Sequence, residues 1–252
     1  MAIYHLSIKY VSRRKGQAAV QAAAYRSGEK LRDCYYGLTY DYTKKGGIVY
    51  NNILLPPTTP KEYADRETLW NAVEHAEKRK DSRLAREVEF SLPVELSLSE
   101  QLRLVERYVT ANFVSWGMCA DVNIHEMGNG NPHAHVLLTT RTVEPEGFGA
   151  KNRKWDKRAN VTLWRREWKN AQNREFERKG LDIRVSHESN VARNIDREPT
   201  IHIGFRAKEF ERSGVETDRG NQNRAIEARN SEREEQKHQR ERQRQRSRGR
   251  SR

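Results

Sequence analysis

The chain of 252 residues contains only two cysteines, Cys34 and Cys119. They cannot form a disulfide framework, and no Cys-x-x-Cys pair offers a closed zinc site. No apolar run is long enough to cross a bilayer, and the N-terminus lacks the form of a secretory signal. Membrane insertion is therefore not expected, and a reducing, cytoplasmic setting is. Acidic charge is in deficit as well: 35 Asp and Glu face 48 Lys and Arg, a formal net charge of +13. That excess, with a pI near 9.8, favours a polyanionic partner, nucleic acid first.

What is present begins with period-two alternation. Tyr4, Leu6, Ile8 and Tyr10 alternate with His5, Ser7 and Lys9, the mark of a half-buried strand. In Arg86-Glu-Val-Glu-Phe-Ser-Leu-Pro, the residues Glu87, Glu89 and Ser91 share one face, and Val88, Phe90 and Leu92 the other. Val122 and Ile124 oppose Asn123 and His125, while Ala134 and Val136 oppose His133 and His135. Four strands with one apolar and one polar face each predict an α+β fold. A central antiparallel sheet would have helices over its apolar face and a polar site on the other. The pairing order is not readable.

Three of the eight histidines fall within Asn123-Ile-His-Glu-Met-Gly-Asn-Gly-Asn-Pro-His-Ala-His. The seven residues between His125 and His133 are rich in Gly, Asn and Pro, which predicts a turn between two strands. His133 and His135 are two apart and share a strand face, and a hairpin brings His125 beside them. Three imidazoles on one face make a candidate metal site with open positions, a form suited to catalysis.

Helices are expected over the alanine-rich segment Gln17–Arg26, which carries Tyr25 near its end, from the turn after Pro60 through Trp70 to about Lys80, from the Ser97/Glu100 capping box to Phe113, and from Thr162 to Lys179 before Gly180. Two basic stretches are candidate DNA contacts: Arg13, Arg14 and Lys15 after the first strand, and Lys151, Arg153 and Lys154 in a loop at 144–158. From about residue 206 apolar residues thin out. Residues 221–252 hold eleven Lys or Arg against five acidic residues, a net of +6. The expected division is a domain at 1–205 and a basic tail at 206–252, helical or disordered.

Met1-Ala-Ile-Tyr-His-Leu-Ser-Ile-Lys-Tyr, Gly16-Gln-Ala-Ala-Val-Gln-Ala-Ala-Ala-Tyr-Arg, the Arg86–Pro93 run, Pro132-His-Ala-His and Ile195-Asp-Arg-Glu-Pro-Thr-Ile-His occur in this order. Together they resemble the MobA/MobL family of plasmid mobilization relaxases, in the wider class of endonucleases with a His-hydrophobic-His motif. The resemblance covers about residues 1–204. It implies a conjugative relaxase that nicks one strand at a transfer origin, keeps a 5′-phosphotyrosyl link, and rejoins the strand after transfer. The family pattern puts the nucleophile at Tyr25 and the metal on His125, His133 and His135, with Mg2+ or Mn2+ as the expected ion. Glu87 and Glu89 match its acidic motif, one to orient a metal-bound histidine or to accept the tyrosine proton. The resemblance also implies single-stranded or hairpin DNA, accessory mobilization proteins and a type IV coupling protein as partners, and export with the DNA to a recipient. Tyr35 and Tyr36 match no second-tyrosine motif, so one-tyrosine chemistry is expected. A chain of this length is expected to lack the primase or helicase modules that family members often add.

Two alternatives stay open. A rolling-circle replication initiator would share the histidines and the tyrosine, but its tyrosine commonly follows the histidines. A non-catalytic nucleic-acid-binding protein with a structural metal would call for a fourth protein ligand.

Overall fold

The computed structural model describes residues 4–126, 131–201 and 203–249. The tip of the expected histidine turn, 127–130, and His202 lie outside them. The chain divides into two compact units, residues 1–187 and 188–252.

The first unit is built on five strands: β1 (Leu6–Ser12), β4 (Ile48–Leu54), β5 (Arg83–Ser91), β6 (Ala120–His125) and β7 (His133–Leu138). They form one antiparallel sheet in the order β1-β5-β7-β6-β4. Two small hairpins, β2 (Lys30–Asp33) with β3 (Leu38–Asp41) and β8 (Arg141–Glu144) with β9 (Gly147–Lys151), stand apart from it. The α+β class and the antiparallel sheet are as expected.

The first sheet face is apolar along its length. Val88, Phe90, Val122, Ile124, Ala134 and Val136 pack under α3 (Leu98–Asn112) and α4 (Arg158–Arg178). The Phe90 and Trp168 rings meet at 4.3 Å, and Tyr108 lies 5.0 Å from Trp168. The capping box forms as expected, with Glu100 Oε2 accepting from the Ser97 amide at 2.8 Å.

The second face corrects the expectation that helices cover one side only. Near Leu137, Ala85 and Val11 it is apolar, and α1 (Ala19–Ser27) and α2 (Arg66–Ala76) pack there through Ala19, Val20, Ala23, Ala24, Leu69, Trp70 and Val73. Only toward the other end of the strands, where Glu87, Glu89, Asn123 and the histidines project, is the face polar. Alternation shows which residues share a face, not that the face is uniform along its length. The alanines explain how α1 sits close: with one-carbon side chains its backbone approaches the sheet without a void. The start of α2 also differs from expectation. Lys61–Ala64 is a short 3-10 turn, and Asp65 caps the helix by accepting the Thr68 amide at 2.8 Å.

A buried ion pair fixes the N-terminus of α1. Glu74 of α2 is fully buried, takes the Arg13 guanidinium and accepts the Ala19 amide, one of the donors a helix start leaves unpaired. Arg13 also donates to the Glu74 backbone carbonyl at 3.0 Å. At the other end Gly28 adopts φ +70 and lies against the tip of the Ile48 side chain. The left-handed turn favours glycine.

The second unit holds α5 (Phe205–Arg212) and α6 (Asp218–Gly249). The change of character at 206 falls inside this unit. Arg, Glu and Gln favour helix in α6, and polar contacts bind it to the segment before it. Glu198 accepts two bonds from Arg229 at 2.9 Å each, and Asn230 brackets the Glu198 backbone. No helix among the described residues is long and apolar enough to cross a membrane.

Replacing Glu74 by Ala is expected to destabilise the fold by about 3–5 kcal/mol, since it leaves the Arg13 charge buried and unpaired. Urea denaturation of the variant measures this; a loss below about 1 kcal/mol, the range of an exposed pair, would contradict the role given to Glu74.

Candidate active site and metal centre

The histidine cluster follows from register. In the β6–β7 pair His125 faces His133 and Asn123 faces His135, while across β5–β7 Glu89 faces His135. Paired residues of antiparallel strands project to the same side, so the expected convergence is realised. One ligand atom from each of His125, His133 and His135 lies within 4.8 Å of the others, and Glu87, Glu89 and His135 form a second such group.

Each imidazole has one nitrogen committed to a protein oxygen. His125 donates from Nε2 to the Arg26 carbonyl at 2.7 Å, His133 from Nδ1 to the Asn131 carbonyl at 3.0 Å, and His135 from Nδ1 to Glu87 Oε1 at 2.9 Å. The acceptors fix the tautomers: Nδ1 of His125 and Nε2 of His133 and His135 keep their lone pairs. Oriented imidazoles backed by carbonyl and carboxylate oxygens are the usual outer support of a metal centre. Burial pushes the pKa of His125 down to about 4, its Arg26 contact opposing, and burial also lowers that of His133. Both are therefore neutral near pH 7, the form that ligates metal. The set could hold a metal ion.

Glu87 is saturated. Its Oε1 accepts from His135 and from Arg26 Nε at 2.8 Å, and its Oε2 from Arg26 Nη2 at 2.6 Å. Burial alone would raise its pKa, but the His135 and Arg26 bonds prevail and hold it at about 2. Glu89 pairs with Lys9 at 3.0 Å, and its pKa is likewise lowered against the effect of burial.

Tyr25 lies in the last turn of α1, next to Arg26. Its ring is half exposed, meets Tyr42 edge-on at 5.2 Å, and carries the Lys45 ammonium 3.8 Å from its centroid. Lys45 also donates to the Tyr25 carbonyl at 2.7 Å, and burial, with Arg26 nearby, lowers its pKa to about 8. A groove of about 380 Å³ between α1 and β1 joins Tyr25, Arg26 and Glu87 to Lys9 and Lys15. The tyrosine, the cationic groove and the carboxylate that holds His135 are thus contiguous.

Other candidates are placed unequally. Arg14, Lys15, Arg153 and Lys154 are exposed. Arg13 is corrected: its guanidinium is buried against Glu74 and is not available to DNA. Lys151 is half-committed, bonded to Glu77 and to the Arg83 carbonyl. Sequence reasoning missed Arg26, Lys45 and the buried network beneath the histidines, in which Asn123 donates to Asp121 at 2.9 Å and Asp121 takes Arg66 and Trp70. The parity of Asp121, Asn123 and His125 on one strand was the available signal.

The MobA/MobL family model matches residues 17–213. The chain belongs to this family. It is 37% identical over 253 residues to the mobilization protein MobL of Acidithiobacillus ferridurans, covering 87% of this chain and 66% of MobL. It is 35% identical to the conjugal transfer protein TraA of Rhizobium radiobacter, over 84% of this chain and 22% of TraA. The chain therefore spans 66% of one relative and less than a quarter of the other. A solved structure described as the molecular basis of vancomycin resistance transfer in Staphylococcus aureus superposes with a TM-score of 0.69 at 34% identity. That match covers 75% of this chain and all of the other.

Linkage gives the site a pH signature. The folded pKa of His125 lies below its ordinary 6.5, so between pH 6.5 and about 4 the unfolded chain binds more protons and stability falls as the solution is acidified. The loss from His125 is about 3 kcal/mol. Glu87, also depressed, extends the loss from pH 4.5 toward 2. Denaturation midpoints of the metal-free protein across this range should fall with pH, and less steeply between 6.5 and 4 in His125→Gln. An unchanged slope in the variant would remove His125 as the source.

Proposed function

We propose that this chain is a mobilization relaxase: a strand-specific DNA endonuclease and strand transferase acting at a plasmid transfer origin. The observation that carries the reading is the linkage of Tyr25 to the histidine cluster through Arg26, which clamps Glu87 with its side chain and takes the His125 proton with its carbonyl. Family membership and the order of the motifs, tyrosine before histidines, support it over a replication initiator.

In this reading the Tyr25 oxygen attacks the scissile phosphorus. A tyrosyl–phosphorus bond forms, the bond to the 3′ oxygen breaks, and that oxygen takes up a proton as the 3′-hydroxyl. The phenolic proton leaves to water, which the half-exposed ring contacts. Glu87 is a poor acceptor for it, because the Arg26 and His135 bonds hold its carboxyl at a pKa of about 2; its role is to hold His135. Glu89, kept ionised by Lys9, adds negative charge beside His135. Lys45 places a cation at the Tyr25 ring, where it favours negative charge on the attacking group or the phosphate. The reaction conserves a phosphodiester, so the released 3′-hydroxyl reverses it without an added energy source.

His125 through Nδ1, and His133 and His135 through Nε2, would hold a divalent ion. When bound, that ion polarises the phosphate oxygens and offsets their developing charge. Three imidazole ligands fit Mn2+ or a softer transition ion better than Mg2+, which prefers oxygen ligands. The DNA is single-stranded or hairpin, and the site of action is the cytoplasm of the donor cell, with accessory mobilization proteins and a coupling protein as further partners. The domain that performs the chemistry is expected within 1–205.

Labelled single-stranded transfer-origin DNA with Mn2+ should give cleavage and a covalent 5′ adduct. Tyr25→Phe should abolish both while retaining DNA binding, and chelation should abolish cleavage. An adduct in Tyr25→Phe would refute the assignment. Glu87→Gln should weaken metal binding by roughly 10- to 100-fold, measured by calorimetric titration with Mn2+; an unchanged affinity would show that Glu87 does not support the metal centre.

A further inference from the structure

At the opposite end of the sheet from the histidines lies a second concavity of about 640 Å³. Six cations line it: Lys78, Arg79, Arg83, Arg141, Lys151 and Arg153. The three carboxylates among its walls are already matched. Glu77, nearly fully buried, pairs with Arg141 and Lys151; Asp81 pairs with Arg79; Asp156 pairs with Arg86. The cleft is therefore a net cationic surface on a fixed frame, with Lys78 and Arg153 exposed at its rim.

The cleft adjoins the groove that leads to Tyr25. Lys15 and Tyr10 border the groove. Between the two concavities runs the segment 12–15: Ser12 pairs with Arg83 across β1 and β5, and the Arg13 amide donates to the Ser82 carbonyl at 2.9 Å. The Tyr10 hydroxyl reaches Asp156 at 3.1 Å, and Arg83 lies over the Tyr10 ring at 4.4 Å. Tyr25, Lys9, Lys15, Arg83 and Lys78 thus mark one cationic route around the edge of the sheet. Tyr25 and Tyr42 are among the residues that line the groove, while the lining of the cleft holds no aromatic residue and meets only the Tyr10 ring at its border, through Arg83 and Asp156. Base stacking needs exposed rings, whereas phosphates need only cations.

We propose that the cleft is a phosphate-binding extension of the active site, which grips the backbone of the same DNA strand after it has passed along the α1–β1 groove. The proposal rests on the nicking reading only for the identity of the strand; its physical content is a second, sequence-independent anchor for single-stranded DNA.

The test uses fluorescein-labelled oligo-dT of graded length, with chelator present, binding to the full chain by fluorescence anisotropy. Affinity should rise in two stages as length first fills the groove and then reaches the cleft. The double variant Lys78→Glu/Arg153→Glu should lose the second stage, at least tenfold in affinity for long oligomers. The steepness of log affinity against log salt should fall by about 1.4, the value for two single-strand phosphate contacts. Asp81→Lys, which adds positive charge at the same rim, should tighten long-oligomer binding and leave short oligomers unchanged. A double variant that keeps the second stage, or that weakens all lengths equally, overturns the proposal. Because cleavage is not read, a failure of the nicking reading leaves this outcome untouched, and a failure here leaves the Tyr25 adduct test untouched.

Discussion

The Arg26–Glu87 ion pair is the contact on which the rest of the site depends. Its guanidinium binds both Glu87 oxygens, its carbonyl accepts from His125, and its chain neighbour is Tyr25. One residue therefore joins the helix that carries the tyrosine to two strands of the sheet, and through Glu87 it reaches His135 on a third. Gly28 ends the helix two residues later in a left-handed turn that side chains rarely adopt. Glu74 and Arg13 hold the other end. The nine residues of α1 are fixed at both ends and in the middle, which makes the position of Tyr25 a property of the fold rather than of a loop.

Beneath it the sheet supplies a rigid floor. β7 lies at the centre with β5 and β6 on either side, and it brings two of the three histidines. The hydrogen-bond ladder of the sheet sets their spacing to each other, and the buried Asp121–Arg66–Trp70 network continues the same face inward. A metal centre built this way has its ligands oriented before any ion arrives, so little ordering remains to oppose binding.

Much of this was legible in the sequence because it depends on parity. Alternation placed Glu87, Glu89, His125, His133 and His135 on polar strand faces, and the Gly- and Asn-rich stretch placed the histidines across a turn. The motif resemblance singled out Tyr25 among ten tyrosines. What parity could not show was contact at long range. Arg26 meets Glu87 across 61 residues and His125 across 99, and neither partner leaves a mark near Arg26 in the chain. Arg13 looked like a DNA contact for the same reason: a basic turn reads as exposed until Glu74, 61 residues away, is seen beneath it. The apolar half of the second face escaped notice because the strands were read singly, and the packing of α1 and α2 on Leu137 and Ala85 belongs to several strands together.

The half-exposed position of Tyr25, at the surface end of a helix, has a mechanical consequence. A strand joined to its hydroxyl would hang outside the packed core, held by a covalent bond to one side chain and by no feature of the tertiary structure. Such cargo would stay attached if the sheet came apart and the polypeptide were drawn out as a thread. The ability to release it would be lost at once, since Tyr25, Glu87 and the imidazoles come from α1, β5 and the β6–β7 pair and meet only in the folded sheet. Attachment and release would then have different requirements: a linear polymer suffices for the first, and only the refolded protein can perform the second.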